Sequence, residues 1–197
     1  KTSNTLPDEN LEWLKDVIFA DPSDRRPVVL LSHHQPIDAY GRAYWRMRRQ
    51  IAPFLDRVAI WFWGHEHRLD FLAAAKVEGG KTIRGRCIGH GGKPVEPPKK
   101  KPGSKYPLVL TDKRVQKVQD GDQLVEVGYC GYVVLALAED TLTIDYHEEP
   151  ATKGTQGPLL VREVLKRAGA GGINGQVTHH DVKKLPLLPT RSLVELY

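Results

Sequence analysis

"VAIWFWGHEHR", residues 58–68, decides how the rest of the chain is read. Six apolar residues rich in aromatics and β-branched side chains run without a polar break, which predicts a short strand buried on both faces. The strand runs into Gly64 and then into two histidines that flank a glutamate. If extended geometry continues through His65, Glu66 and His67, both imidazoles project to one side and Glu66 to the other. Neutral imidazole is the commonest protein metal ligand, so this strand end reads as half of a metal site.

Working outward, "VVLLS" (28–32) is a second apolar run of the same kind, and it too ends in histidines, in "HHQP" (33–36). Upstream, Thr5-Leu6-Pro7-Asp8 has the make-up of a helix start. Leu11, Leu14, Val17 and Ile18 recur at helical spacing, so residues 6–20 are predicted to be an amphipathic helix. Residues 43–57 predict a second helix, with Pro53 as a break or kink. Helix, strand, helix, strand therefore alternate, and both strands end in imidazoles. In α/β architecture ligands collect beyond the carboxyl ends of the strands, where both histidine motifs fall.

Further along, the pattern turns more β-like. "KTIRGRCIGHGG" (81–92) predicts a strand entering a Gly-rich turn, with His90 as a turn histidine. "GYVVLALAEDTLTIDYHEE" (131–149) predicts a hairpin around Glu139 and Asp140. In its second arm Leu142, Ile144 and Tyr146 form the buried set, leaving His147 on the polar, exposed face. Residues 93–122 are polar and Pro-rich, and the Lys/Pro stretch 93–105 reads as a solvated loop. "PLLVREVLKRA" from residue 158 is read as a short helix, and His179-His180-Asp181 as part of an irregular tail.

Composition narrows the classes. The 197 residues allow one domain with a real core, and no apolar run approaches the roughly 18–20 residues of a membrane helix. No membrane association is expected. Cys87 and Cys130 make no disulfide framework; they read as packed thiols and point to a reducing, cytoplasmic compartment. The net charge of +5 favours anionic partners. "GRAYWRMRR" (41–49) places Arg42, Arg46, Arg48 and Arg49 just downstream of the first histidine motif.

"VVLLSHHQP" (28–36) followed by "GHEH" (64–67) resembles, in order, the closing motifs of the calcineurin-like metallophosphoesterases. "LPDENLEWLKDVI", the Gly-rich "IGHGG" and the late hairpin add supporting context. The family series opens with Asp-x-His, Gly-Asp-x-x-Asp and Gly-Asn-His-Asp/Glu motifs, which these residues do not contain. The resemblance thus implies an α/β fold, the second half of a metallophosphoesterase β-sandwich flanked by helices in α/β/β/α layers. It covers about residues 6–149. The expected division is 1–149 for that half-domain and 150–197 for a short helical or irregular C-terminal extension.

What the resemblance implies for the site follows residue by residue. His34 is matched to a ligand of one metal, with His33 as the competing choice. His65 is matched to the same metal as His34, and His67 to a second one. The implied cofactors are two divalent or trivalent ions (Mn, Fe or Zn), the implied reaction is hydrolysis of a phosphate mono- or diester, and Arg42 and Arg46 are candidates to contact the phosphate. The carboxylate and asparagine ligands and the proton-donating histidine belong to the missing N-terminal half, expected as a further segment or a partner chain. A nucleic-acid substrate is one option, since Tyr44 and Trp45 lie within the arginine cluster. Two rivals remain open: a catalytically incomplete binding or interaction module, and a structural zinc site built from His65, His67 and Cys87.

Overall fold

A computed structural model describes residues 5–37, 44–92, 95–96, 108–168 and 173–179. Helix α1 (Asp8–Trp13) continues as a π-helical turn over Leu14–Ile18, and strand β1 (Val28–Ser32) follows. Helix α2 (Trp45–Ile51) tightens into a 3-10 helix over Ala52–Arg57. Pro53, at the start of that tighter turn, lacks the N–H that an α-helix would need, so the change of helix falls where the sequence places a break. Next come β2 (Val58–Trp63), β3 (Leu69–Leu72), β4 (Ala75–Lys76), β5 (Thr82–Ile83), β6 (Gly85–Ile88) and β7 (Leu108–Thr111). The remaining strands are β8 (Val115–Asp120), β9 (Gln123–Gly128), β10 (Gly131–Ala138), β11 (Thr141–Glu148), β12 (Leu159–Arg167) and β13 (Ile173–His179).

Two larger sheets form. The first has the order β1-β2-β6-β3-β7, with β1, β2 and β6 parallel and the last two antiparallel. The second is an antiparallel meander, β10-β11-β12-β13. One core lies between them: Ile60, Phe62 and Phe71 of the first sheet pack with Ile144, Tyr146 and Val161 of the second. The opposite face of the first sheet presents Trp61, Trp63 and Leu72 to Leu14 of the π-helical turn, Met47 and Ile51 of α2 and Leu55. The architecture is therefore α/β, with helices on one face of a mixed sheet and a second sheet on the other. No described helix forms a fourth, outer layer.

Strand β2 is buried at all six positions, as its sequence predicts. β1 is not. It lies at the edge of its sheet, and Leu31 is 65% exposed, so an apolar run that reads as covered on both faces has one side open. The predicted helix from residue 158 is strand β12, which pairs with β11 from Thr141↔Lys166 to His147↔Leu159. Within the extension expected over 150–197, β12 and β13 add two strands to the second sheet, so where it is described it holds strands and no helix. The polar stretch up to residue 122 holds β8, and β8 and β9 make a two-stranded hairpin that its composition did not announce. The predicted hairpin of β10 and β11 is present, and Glu139 in its turn takes a positive φ of 51°.

A buried charge pair ties the sheets together. Arg86 Nε and Nη2 donate to the two carboxylate oxygens of Glu163, each at 2.8 Å, and Tyr146 Oη donates to Glu163 Oε1 at 2.6 Å. Both charged side chains are wholly buried. Arg86 Nη1 also donates to the carbonyls of Leu72 and Gly85, so the guanidinium fork is occupied on every side.

Candidate metal centre

β1 and β2 run parallel, and Ser32 pairs with Trp63, so the two histidine loops leave the sheet side by side. The His33 carbonyl accepts from both the Gly64 N–H (3.2 Å) and the His65 N–H (2.9 Å). Trp61 Nε1 donates to Ser32 Oγ, which in turn donates to the His34 carbonyl, both at 2.8 Å. A buried indole thereby fixes the first loop from below. Behind the second loop, the Gly89 backbone approaches so closely that a Cβ there would lie 2.0 Å from the Glu66 carbonyl oxygen and 2.3 Å from that of Gly64. Only glycine fits.

This scaffold brings His33, His34 and His65 together, with their ligand atoms all within 4.8 Å of one another. Their ring centroids are 4.4–5.0 Å apart. His65 Nδ1 and His33 Nε2 are 3.1 Å apart, a hydrogen bond in which one neutral imidazole donates and the other accepts. His34 is half-buried, and its Nδ1 is buried with no hydrogen-bond partner. Burial, and then repulsion from His33, hold its pKa below the ordinary histidine range, which keeps it neutral at pH 7 with a lone pair available. His33 and His65 are exposed, so the cluster opens to solvent.

Both alternatives for the first loop, His33 and His34, thus join the cluster. His67 does not. β2 ends at Trp63, residues 65–68 bend, and the Arg68 N–H returns to the Glu66 carbonyl at 2.8 Å, so the extended geometry that would set His65 and His67 on one side is not maintained. Glu66 does turn away from the trio, into the interior, where it is 7% exposed. Cys87 lies below it and donates its S–H to the Glu66 carbonyl at 3.2 Å. Burial raises the Cys87 thiol pKa well above its usual value, and among the described residues His65, His67 and Cys87 do not converge into a metal-ligating group. Arg42 lies outside the described residues. Arg46 is exposed on α2, with its guanidinium carbon 5.3 Å from the Trp45 ring centroid. Tyr44, just before that helix, sits with its ring 5.9 Å from that of His34.

Sequence reasoning passed over three residues near this end of the sheet. Gln35, next to His34, is wholly buried with neither end of its amide hydrogen-bonded, and the only sequence signal is its place in "HHQP". His90 is 2% exposed, although a turn histidine was expected, and neither ring nitrogen makes a hydrogen bond of ordinary geometry. Burial lowers its pKa to about 4. His147, expected on the exposed face, is also 2% exposed. The segment after β11 folds back over it, its Nδ1 meets the Gly157 carbonyl at 2.9 Å, and its ring stacks on Tyr132.

Three imidazoles converging on a solvent-open point form a donor set for one borderline-soft divalent ion with positions left over. Among the described residues no carboxylate joins the group, so a second ion is not provided for.

Residues 1–69 match the family model of the calcineurin-like phosphoesterases. That segment contains both histidine loops, and it is the family that the two motifs resemble. No curated protein matches the chain. Metal-dependent phosphoester hydrolysis is the activity this family likeness suggests, and the histidine cluster is in place for it.

Proposed function

We propose that the chain supplies the histidine side of a metallophosphoesterase centre that hydrolyses a phosphate mono- or diester. The observation that carries this is the convergence of His33, His34 and His65 at the carboxyl ends of two parallel strands, inside the segment matched to the family. A bound cation there would lower the pKa of water and offset charge on the phosphate oxygens. The chain's own part is to hold the three ligands: the His33 carbonyl fixes the second loop, and Ser32 and Trp61 fix the first. The exposed Arg46, with Arg42, would draw a phosphate anion toward the cluster. Manganese, iron or zinc suits the donor set.

A two-metal centre needs more. His67 would turn toward a second ion only if the 65–68 bend opened, and oxygen ligands would come from a further segment or a partner chain. Among the described residues no strand pairs with the outer edge of β1, beside the cluster, and that is where such a strand would add. That same open edge, together with the absence of a carboxylate among the described cluster residues, favours the second reading, an interaction module without turnover of its own. A cytoplasmic setting is proposed on the cysteine usage alone.

The experiment is to strip the protein with a chelator, reload it with Mn, and measure both metal per chain and hydrolysis of p-nitrophenyl phosphate and its diester. Bound metal with metal-dependent turnover is expected, both lost in His34→Ala. Bound metal without turnover would establish the interaction module, and no bound metal would overturn the metal centre itself.

A further inference from the structure

The arginine-rich helix beside the cluster exposes an aromatic ring that no fold requirement explains. Trp45 is 50% exposed, whereas Trp61 and Trp63 are 2% and 1% exposed. Met47, Arg48 and Ile51 are the buried residues of α2, so the helix is anchored by its other side and Trp45 faces outward. Two guanidiniums flank the ring. The Arg46 carbon lies 5.3 Å from its centroid and the Arg49 carbon 5.7 Å. Trp45 and Arg49 are four apart, neighbours on one helix face, and Arg46 reaches round from the next position. Neither arginine forms an ion pair among the described residues, and the helix has no acidic residue to neutralise them.

An exposed indole with two guanidiniums over it, neither ion-paired among the described residues, matches a planar aromatic group that carries phosphates. Its location matters as much as its make-up. Trp45 directly follows Tyr44, whose ring lies 5.9 Å from that of the candidate ligand His34, so the platform is adjacent in the chain to a neighbour of the cluster.

We propose that Trp45, Arg46 and Arg49 form a nucleotide-binding platform, a base stacking on Trp45 and its flanking phosphates meeting Arg46 and Arg49. Resting on the hydrolase reading above, this names the substrate class as a nucleotidyl phosphoester, either a free nucleotide or a single-stranded polynucleotide. Two arginines, at different positions relative to one ring, favour a ligand with more than one phosphate over a lone phosphorylated tyrosine. Stacking on one aromatic side chain tolerates any base, so little sequence preference is expected.

The test is run with chelator present, so that binding is read apart from metal and turnover. Anisotropy of a short fluorescein-labelled oligothymidylate reports affinity. Trp45→Ala should weaken binding about tenfold, the lower part of the range for one stacked base, while Trp45→Phe should retain most of it. Arg46→Gln and Arg49→Gln should each make the salt dependence shallower by about one phosphate contact. An abasic oligomer should bind weakly and be indifferent to Trp45→Ala. Competition by ADP at similar concentration would identify a free nucleotide as the source, and competition only by oligomers a polynucleotide; either supports the platform. Trp45→Ala leaving affinity unchanged, with the thermal melt also unchanged, would overturn it. So would a phosphotyrosine peptide competing as well as ADP. Loss of Trp45 dependence with metal-dependent hydrolysis intact faults the platform alone. Intact platform binding without hydrolysis faults the hydrolase reading.

Discussion

Two polar clusters sit on the same five-stranded sheet and differ in every respect that matters. Arg86 and Glu163 are wholly buried, doubly bonded to each other, and completed by Tyr146 and two backbone carbonyls. His33, His34 and His65 stand at the strand ends, open to solvent, with one buried nitrogen on His34 left without a partner. The first cluster has satisfied its donors and acceptors and has no capacity for a ligand. The second brings three imidazoles together, two of them joined by the His65–His33 hydrogen bond, and leaves the buried His34 nitrogen unoccupied. Convergence without satisfaction marks a site, whereas convergence with satisfaction marks a structural joint.

The sharpest way to break this contrast is to remove one partner of the joint. Glu163→Leu strands the Arg86 charge between the sheets and should cost about 3–5 kcal/mol, read as a lower urea midpoint at pH 7. A loss below about 1 kcal/mol would mean that water reaches Arg86 and that the pair is not the joint described here.

His90 tests burial without partners. Its folded pKa of about 4 lies below the ordinary value near 6.5, so the unfolded chain takes up the proton first as pH falls. Its contribution is complete above pH 6.5 and drains away between there and pH 4, by about 3 kcal/mol in all. Denaturant midpoints across that window should show the slope, and His90→Phe should flatten it. An unchanged slope in the variant would assign the effect to other groups.

The metal cluster should show the smallest stability effect of the three. His65 is exposed, so His65→Ala should shift stability by no more than about 0.5 kcal/mol while Mn uptake falls. A large loss of stability with uptake retained would exchange the roles of the two clusters.

The same contrast explains what could be read in the sequence. β2 was legible because all six of its positions are apolar and all six are buried. The two histidine loops were legible as a pair because each directly follows such a run. β12 was misread because one inward-facing position is charged: Val161, Glu163 and Leu165 face the core in strand alternation, and Glu163 breaks the apolar pattern that would reveal it. Its partner Arg86 lies 77 residues away, a distance across which no local pattern operates. His67 was placed with His65 on the assumption that the strand persists, whereas the turn closed by the Arg68 amide ends it. The burial of His147 depends on residues beyond β11 that return over it, and Leu31 is exposed because β1 ends its sheet; both facts belong to topology.

The His33 carbonyl, which accepts the amides of both Gly64 and His65, has a consequence for motion. A fluctuation that carries the first loop outward withdraws the acceptor from the second, so the two loops breathe as one body. An ion gripping either loop would then quiet both.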